Sequence, residues 1–81
     1  MKREIIHKEL TDIFRNVFDD EDIILTDATC ADDIEDWDSL AQITLISEIE
    51  KKFSIKLGLK EVMVLNNVGE MMDLIGKSVE R

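Results

Sequence analysis

The sequence predicts an all-α fold: a small four-helix bundle of three longer helices and one short one, with a long acidic first loop. Three observations carry that prediction. Apolar residues recur at helical spacing in separate segments. The 81 residues include no proline and only three glycines, which disfavours a turn-rich sheet protein. The segment between Asp19 and Asp38 breaks the helical pattern and holds ten acids without a single Lys or Arg. A chain of this length makes one domain, residues 1–81, with one modest core. An apolar content of 44% suffices for a compact fold and is too high for a disordered tail. Four methionines beside three phenylalanines and one tryptophan point to an adaptable, mainly aliphatic core.

The first helix is expected from about residue 3 to about residue 18. Ile6, Leu10, Ile13, Phe14 and Val17 form one face, with Lys8, Glu9, Asp12 and Arg15 on the others. The acidic stretch that follows is too long to be structureless in a compact domain without a reason. Ile23 to Leu25 and Ile34 tie it to the core, a short helical turn fits inside it, and Trp37 reads as a hydrophobic plug at its end. The second helix is expected from residue 38 or 39 to about 52. Its apolar face is Leu40, Ile43, Ile46, Ile49 and Phe53, broadened by Leu45, and Lys51 and Lys52 complement the dipole at its end. "FSIKLGL" alternates like a strand but has no partner strand, so an extended connection is expected, with a sharp turn at Gly58. "KEVMVLN" suits a short third helix ending near Leu65. Asn67 and Glu70 have capping-box spacing for a last helix whose apolar face is Val68, Met71, Met72, Ile75 and Val79. Gly69 in its first turn is expected to weaken it slightly.

Composition also narrows the function. A formal net charge of −9 repels nucleic acid and anionic membranes and attracts basic protein patches. The acidic stretch is either a solvated loop or a docking surface. The N-terminal "MKREIIHKEL" has no continuous hydrophobic run, so neither a signal peptide nor a membrane span is expected, and a bacterial-type cytoplasm fits. The lone Cys30 forms no internal disulfide and reads as a small buried loop residue, with no basic neighbour to activate its thiol. His7, the only histidine, reads as a surface helical residue without the flanking signature of a catalytic partner. One His and one Cys do not make a zinc site, and "DDIEDWDSLAQI" lacks the glycine of a calcium loop, which leaves only loose divalent-cation binding to the clustered acids.

Ser39 has two readings on local grounds. "SLAQ" matches a Ser-x-x-Gln capping box with Ser39 as cap. Alternatively Asp38 caps the helix, and Ser39 presents a free hydroxyl at a helix N-terminus, where an attached phosphate is favoured.

Over nearly its full length the chain resembles the acyl carrier protein family. The resemblance rests on Asp38-Ser39-Leu40 at a helix start, on "ISEIEKKFSIKL" after it, and on "LNNVGEMMDLI" at the last helix. It implies a non-catalytic carrier serving fatty acid, polyketide or related biosynthesis. Ser39 would bear a 4'-phosphopantetheine arm taken from coenzyme A by a separate phosphopantetheinyl transferase. Asp38 would help position that enzyme, and Leu40 would anchor the helix start or contact a partner. Leu45, Ile46, Ile49, Val62, Leu65 and Met71 are the candidates for an acyl groove, with ordinary core packing as the plainer reading of each. Glu35, Asp36 and Trp37 are the candidates for docking acyl-loading and acyl-transferring enzymes with basic patches, and a monomer is expected. The chain departs from the family where Trp37 replaces a glycine often found before "DSL", and where the second helix bears acids only at Glu48 and Glu50. Both departures lean toward a specialised pathway. A carrier of aminoacyl or peptidyl groups and an unmodified acidic adaptor remain the alternatives.

Overall fold

The computed structural model describes residues 2–79, with the backbone alone at Leu59. Among these residues there are four α-helices and no strand: α1 (Arg3–Val17), α2 (Ser39–Phe53), α3 (Leu59–Met63) and α4 (Val68–Val79). α1 buries Ile6, Leu10, Ile13 and Phe14, the stripe that its apolar spacing predicts, against α2 and α4. α1 closes with Asp19 at a left-handed φ of 50° and the Asp20 N–H returned to the Arg15 carbonyl at 3.0 Å. Lys52 of α2 reaches Glu9 of α1 at 3.0 Å across the helix pair.

The loop between α1 and α2 is held in place rather than free. Ile23 and Leu25 are core residues, and Ala31–Asp33 forms one short 3-10 turn within it. Its carbonyls also finish another helix. The Val68 N–H donates to Thr29 O at 2.7 Å and the Gly69 N–H to Asp27 O at 2.9 Å, so two otherwise unpaired amides at the start of α4 are satisfied by loop backbone. Arg3 clamps the same junction by binding Asp73, Asp27 and the Gly69 carbonyl. Its guanidinium is held above its ordinary pKa, first by the hydrogen bond to Asp73 and also by the charge of Asp27. On the guanidinium's side the clamp is therefore present throughout the neutral range and weakens only in strong alkali, while it also requires its carboxylate partners to stay ionised.

Four local expectations are corrected. The sharp turn after α2 falls at Ser54, left-handed at φ 55°, with the Ile55 N–H returning to Glu50 O, while Gly58 is extended at φ −70°. Gly69 is no simple weakness. It is buried, and a Cβ there would lie 2.9 Å from the Asp27 carbonyl oxygen, so the loop crosses α4 only because no side chain intervenes. His7 is half-buried rather than a surface residue, its Nε2 lying 2.7 Å from the Leu25 carbonyl and tying the loop to α1. Cys30 is only partly buried, with its thiol 3.5 Å from the Asp33 carboxylate. One reading holds in part and one in full. Only residues 55–58 of "FSIKLGL" form a connection outside helix and turn, because Phe53 ends α2, Ser54 makes the left-handed turn and Leu59 begins α3. The Asn67 Oδ1 accepts the Glu70 N–H at 2.9 Å as a cap. The Glu70 side chain itself meets the Asn66 amide at 3.4 Å.

Candidate functional site

The start of α2 settles which residue is the cap. Asp38 is extended, and its Oδ1 accepts the Ala41 N–H at 2.8 Å, so Asp38 is the N-cap and Ser39 the first helical residue. Ser39 is exposed, and its hydroxyl is free of the capping role. It stands where the unpaired amides and the positive end of the helix dipole favour a negative substituent. The nearby carboxylates Glu35, Asp36 and Asp38 oppose that preference, and all three are exposed and screened by solvent.

From Ser39 a cavity of about 720 Å³ runs between α2, α3 and the beginning of α4. α2 lines it with Ser39, Gln42, Ile43, Ile46, Ser47 and Glu50, which are spaced by three, one, three, one and three, a single helical stripe. Val62 and Met63 of α3, Leu65 in the following turn and Met71 of α4 face them. Of the six acyl-groove candidates, Ile46, Val62, Leu65 and Met71 lie on this cavity. Leu45 and Ile49 do not: both are fully buried and belong to a second α2 stripe, with Phe53, that packs into the core. The single apolar face expected for α2 is thus two faces. Leu40 and Ile43 are 76% and 64% exposed, so Leu40 does not anchor the helix start. Met63 and Val64 of the neighbouring segment are equally open, at 75% and 69%.

Trp37 joins the loop, the core and the cavity. Its ring meets Phe14 edge-on with centroids 5.0 Å apart, and its Nε1–H donates to the Gln42 Oε1 at 2.6 Å. It is the plug expected, and it also lines the cavity beside Asp38 and Ser39. Trp37, Gln42, Ile43 and Met63 are cavity residues that pattern reading missed. Counting helical turns forward from Ser39 would have found Gln42 and Ile43. No comparable spacing marks Met63 or the fold of Trp37 over the cavity.

The upstream acids also gather. A cleft of about 370 Å³ brings together Asp20, Asp22, Asp33, Glu35 and Asp36 around Ile24. Among the described residues no group of three or more His, Cys, Asp or Glu side chains is arranged to hold a metal ion. No described helix is long and apolar enough to cross a membrane.

These features agree with what the chain is similar to. The family model for the phosphopantetheine attachment site matches residues 8–75. The solution NMR structure of a holo acyl carrier protein from Geobacter metallireducens is 47% identical, with a TM-score of 0.87, over 93% of this chain and 86% of that one. No match was found among curated proteins. A serine at the first position of a capped helix, beside an apolar cavity, in a chain matched almost end to end, places the protein in the phosphopantetheine-binding carrier family, that of the acyl carrier proteins.

Proposed function

We propose that Ser39 is the residue that carries the 4'-phosphopantetheine arm, and that the protein holds acyl intermediates on it as thioesters for partner enzymes. The observation that carries this is the division of labour at the start of α2. Asp38 does the capping, which leaves the Ser39 hydroxyl exposed at the mouth of the cavity. The residues present fit the group: Ser39 would supply the oxygen of the phosphodiester, the first amides of α2 would meet the phosphate, and Ile46, Val62, Leu65 and Met71 would offer an apolar wall to an acyl chain. When bound, the arm supplies a terminal thiol on which an acyl group is carried as a thioester. The protein's own contribution is to present that thiol and to exclude water from part of the cargo. The chemical steps belong to the partners, and no catalytic role is assigned to His7 or Cys30. Fatty acid, polyketide or a related biosynthesis is the setting in which such cargo arises, and a cytoplasmic monomer is the form in which the carrier would meet its enzymes.

The test is a weighing. Incubated with coenzyme A, magnesium and a broad-specificity phosphopantetheinyl transferase, the protein gains the mass of the arm, and Ser39→Ala gains nothing. An unchanged wild-type mass, or an equal gain on the variant, removes Ser39 as the attachment point.

For partner contact we assign the exposed strip of Leu40 and Ile43, flanked upstream by Glu35 and Asp36, with Trp37 beneath. Asp38 serves the transferase as well as the cap. The strip presents apolar surface, and the acids beside it select partners with basic patches.

A further inference from the structure

Trp37 is the one cavity residue in edge-to-face contact with Phe14, a fully buried residue of α1 that does not itself line the cavity. The indole is therefore a partition, with the cavity on one side and the α1 core on the other. It is also a part of the wall fixed at two points. Its ring is held against Phe14, and its N–H is tied to Gln42, which lies on the cavity stripe of α2. The rest of the apolar lining includes Leu65 and Met71, whose unbranched or γ-branched side chains repack more readily. An acyl chain entering from Ser39 meets one fixed boundary and one yielding boundary.

We propose that Trp37 is the specificity-determining residue that limits how long an acyl chain the cavity shelters, by placing its ring between the cavity and Phe14. This rests on the carrier reading above and goes beyond it by naming which residue sets the cargo size. In the wild-type protein a growing chain is directed toward Met71 and the space between α2 and α3. Once that space is filled, further methylenes remain in solvent. Removing the indole joins the cavity to the space against Phe14 and moves the limit outward.

The experiment loads Ser39 with straight acyl chains from butanoyl to tetradecanoyl and confirms each by intact mass. It then measures how fast hydroxylamine cleaves the thioester. While a chain is still entering the cavity, each added methylene slows cleavage by about fourfold, the ratio that about 0.8 kcal/mol per buried methylene implies. The slowing then levels off. Trp37→Phe keeps a ring against Phe14 and levels at the wild-type length. Trp37→Ala levels at a longer chain. The same levelling length in Trp37→Ala, with an unchanged far-UV circular dichroism spectrum, overturns the proposal. If Trp37→Ala does not fold, the wild-type protein decides. Its indole N–H resonance shifts progressively as the chain lengthens and stops shifting at the length where cleavage levels. A resonance that stays put through the whole series overturns the assignment of Trp37 alone. Failure to load any arm on Ser39 overturns the carrier reading and this inference with it.

Discussion

At the scale of single residues, Asp38 does work that its place in the "DSL" tripeptide does not reveal. Its carboxylate satisfies the Ala41 amide, so Asp38→Ala loses a helix cap at a cost of about 1 kcal/mol, or about 4–8 °C in Tm for a domain of this size. Asp38→Asn keeps an acceptor and is expected to restore most of that stability while removing the charge that the carrier proposal has Asp38 offer to the transferase. Thermal melts of both variants beside their rates of arm attachment separate the two roles. Equal attachment rates in Asp38→Asn and wild type would confine Asp38 to capping. The choice between Asp38 and Ser39 as cap was open in the sequence because both residue types cap well, and Ser39 alone has a capping-box partner, Gln42, three residues on. Only backbone geometry distinguishes them. His7 was misread for a related reason: its hydrogen-bond partner is the Leu25 carbonyl, and a backbone acceptor in another segment leaves no mark in a side-chain pattern.

At the scale of elements, the extent and order of the helices were legible, because α1 and α4 carry strong apolar periodicity and α2 is a long apolar run bounded by a cap at Asp38 and by Lys51 and Lys52. What α2 does with its apolar residues was not. Leu45 and Ile49 point into the core, Ile46 faces the cavity and Ile43 is open to solvent, although all four are equally hydrophobic in sequence. A helix surrounded by apolar residues has no unique inward side until its neighbours are placed. α4 gives a sharper lesson. Helix propensity alone predicts that Gly69→Ala stabilises by about 1 kcal/mol. A methyl group 2.9 Å from the Asp27 carbonyl oxygen and 3.1 Å from the Asp27 Cβ instead forces the loop away, and overpacking of that kind costs about 1–3 kcal/mol. We expect Gly69→Ala to lower Tm, and chemical denaturation to show a lower midpoint with an unchanged slope. A rise in Tm would mean that the loop yields freely at this crossing.

At the scale of the whole molecule, the charge is unevenly distributed along the chain. Ten acids and no base lie between Asp19 and Asp38, while α2 beyond Ser39 presents an apolar and nearly neutral face before Glu48. If that asymmetry orients partners, reversing Glu35 and Asp36 to lysine slows arm attachment and acyl loading. Raising the salt from low to physiological strength slows the wild-type protein as well, since exposed charges are screened over about 8–10 Å. The double variant should lose most of the salt dependence, and rates indifferent to both changes would reduce the stretch to a solvated loop. The net charge was plain from composition. The gathering of Asp20, Asp22 and Asp33 with Glu35 and Asp36 around one cleft was not, because it depends on how the loop folds back.

The backbone seam between the loop and α4 bears on how the chain acquires its shape. The amides of Val68 and Gly69 find their acceptors at Thr29 and Asp27, about forty residues upstream, so the first turn of α4 is completed by a distant segment. A nascent α4 alone keeps those donors in water and frays. The closing of that long chain segment must come before, or together with, the consolidation of the last helix, and the helix in turn rewards the closure. Such mutual dependence couples the loop that leads to the serine to the last helix, so that the two form and are lost together.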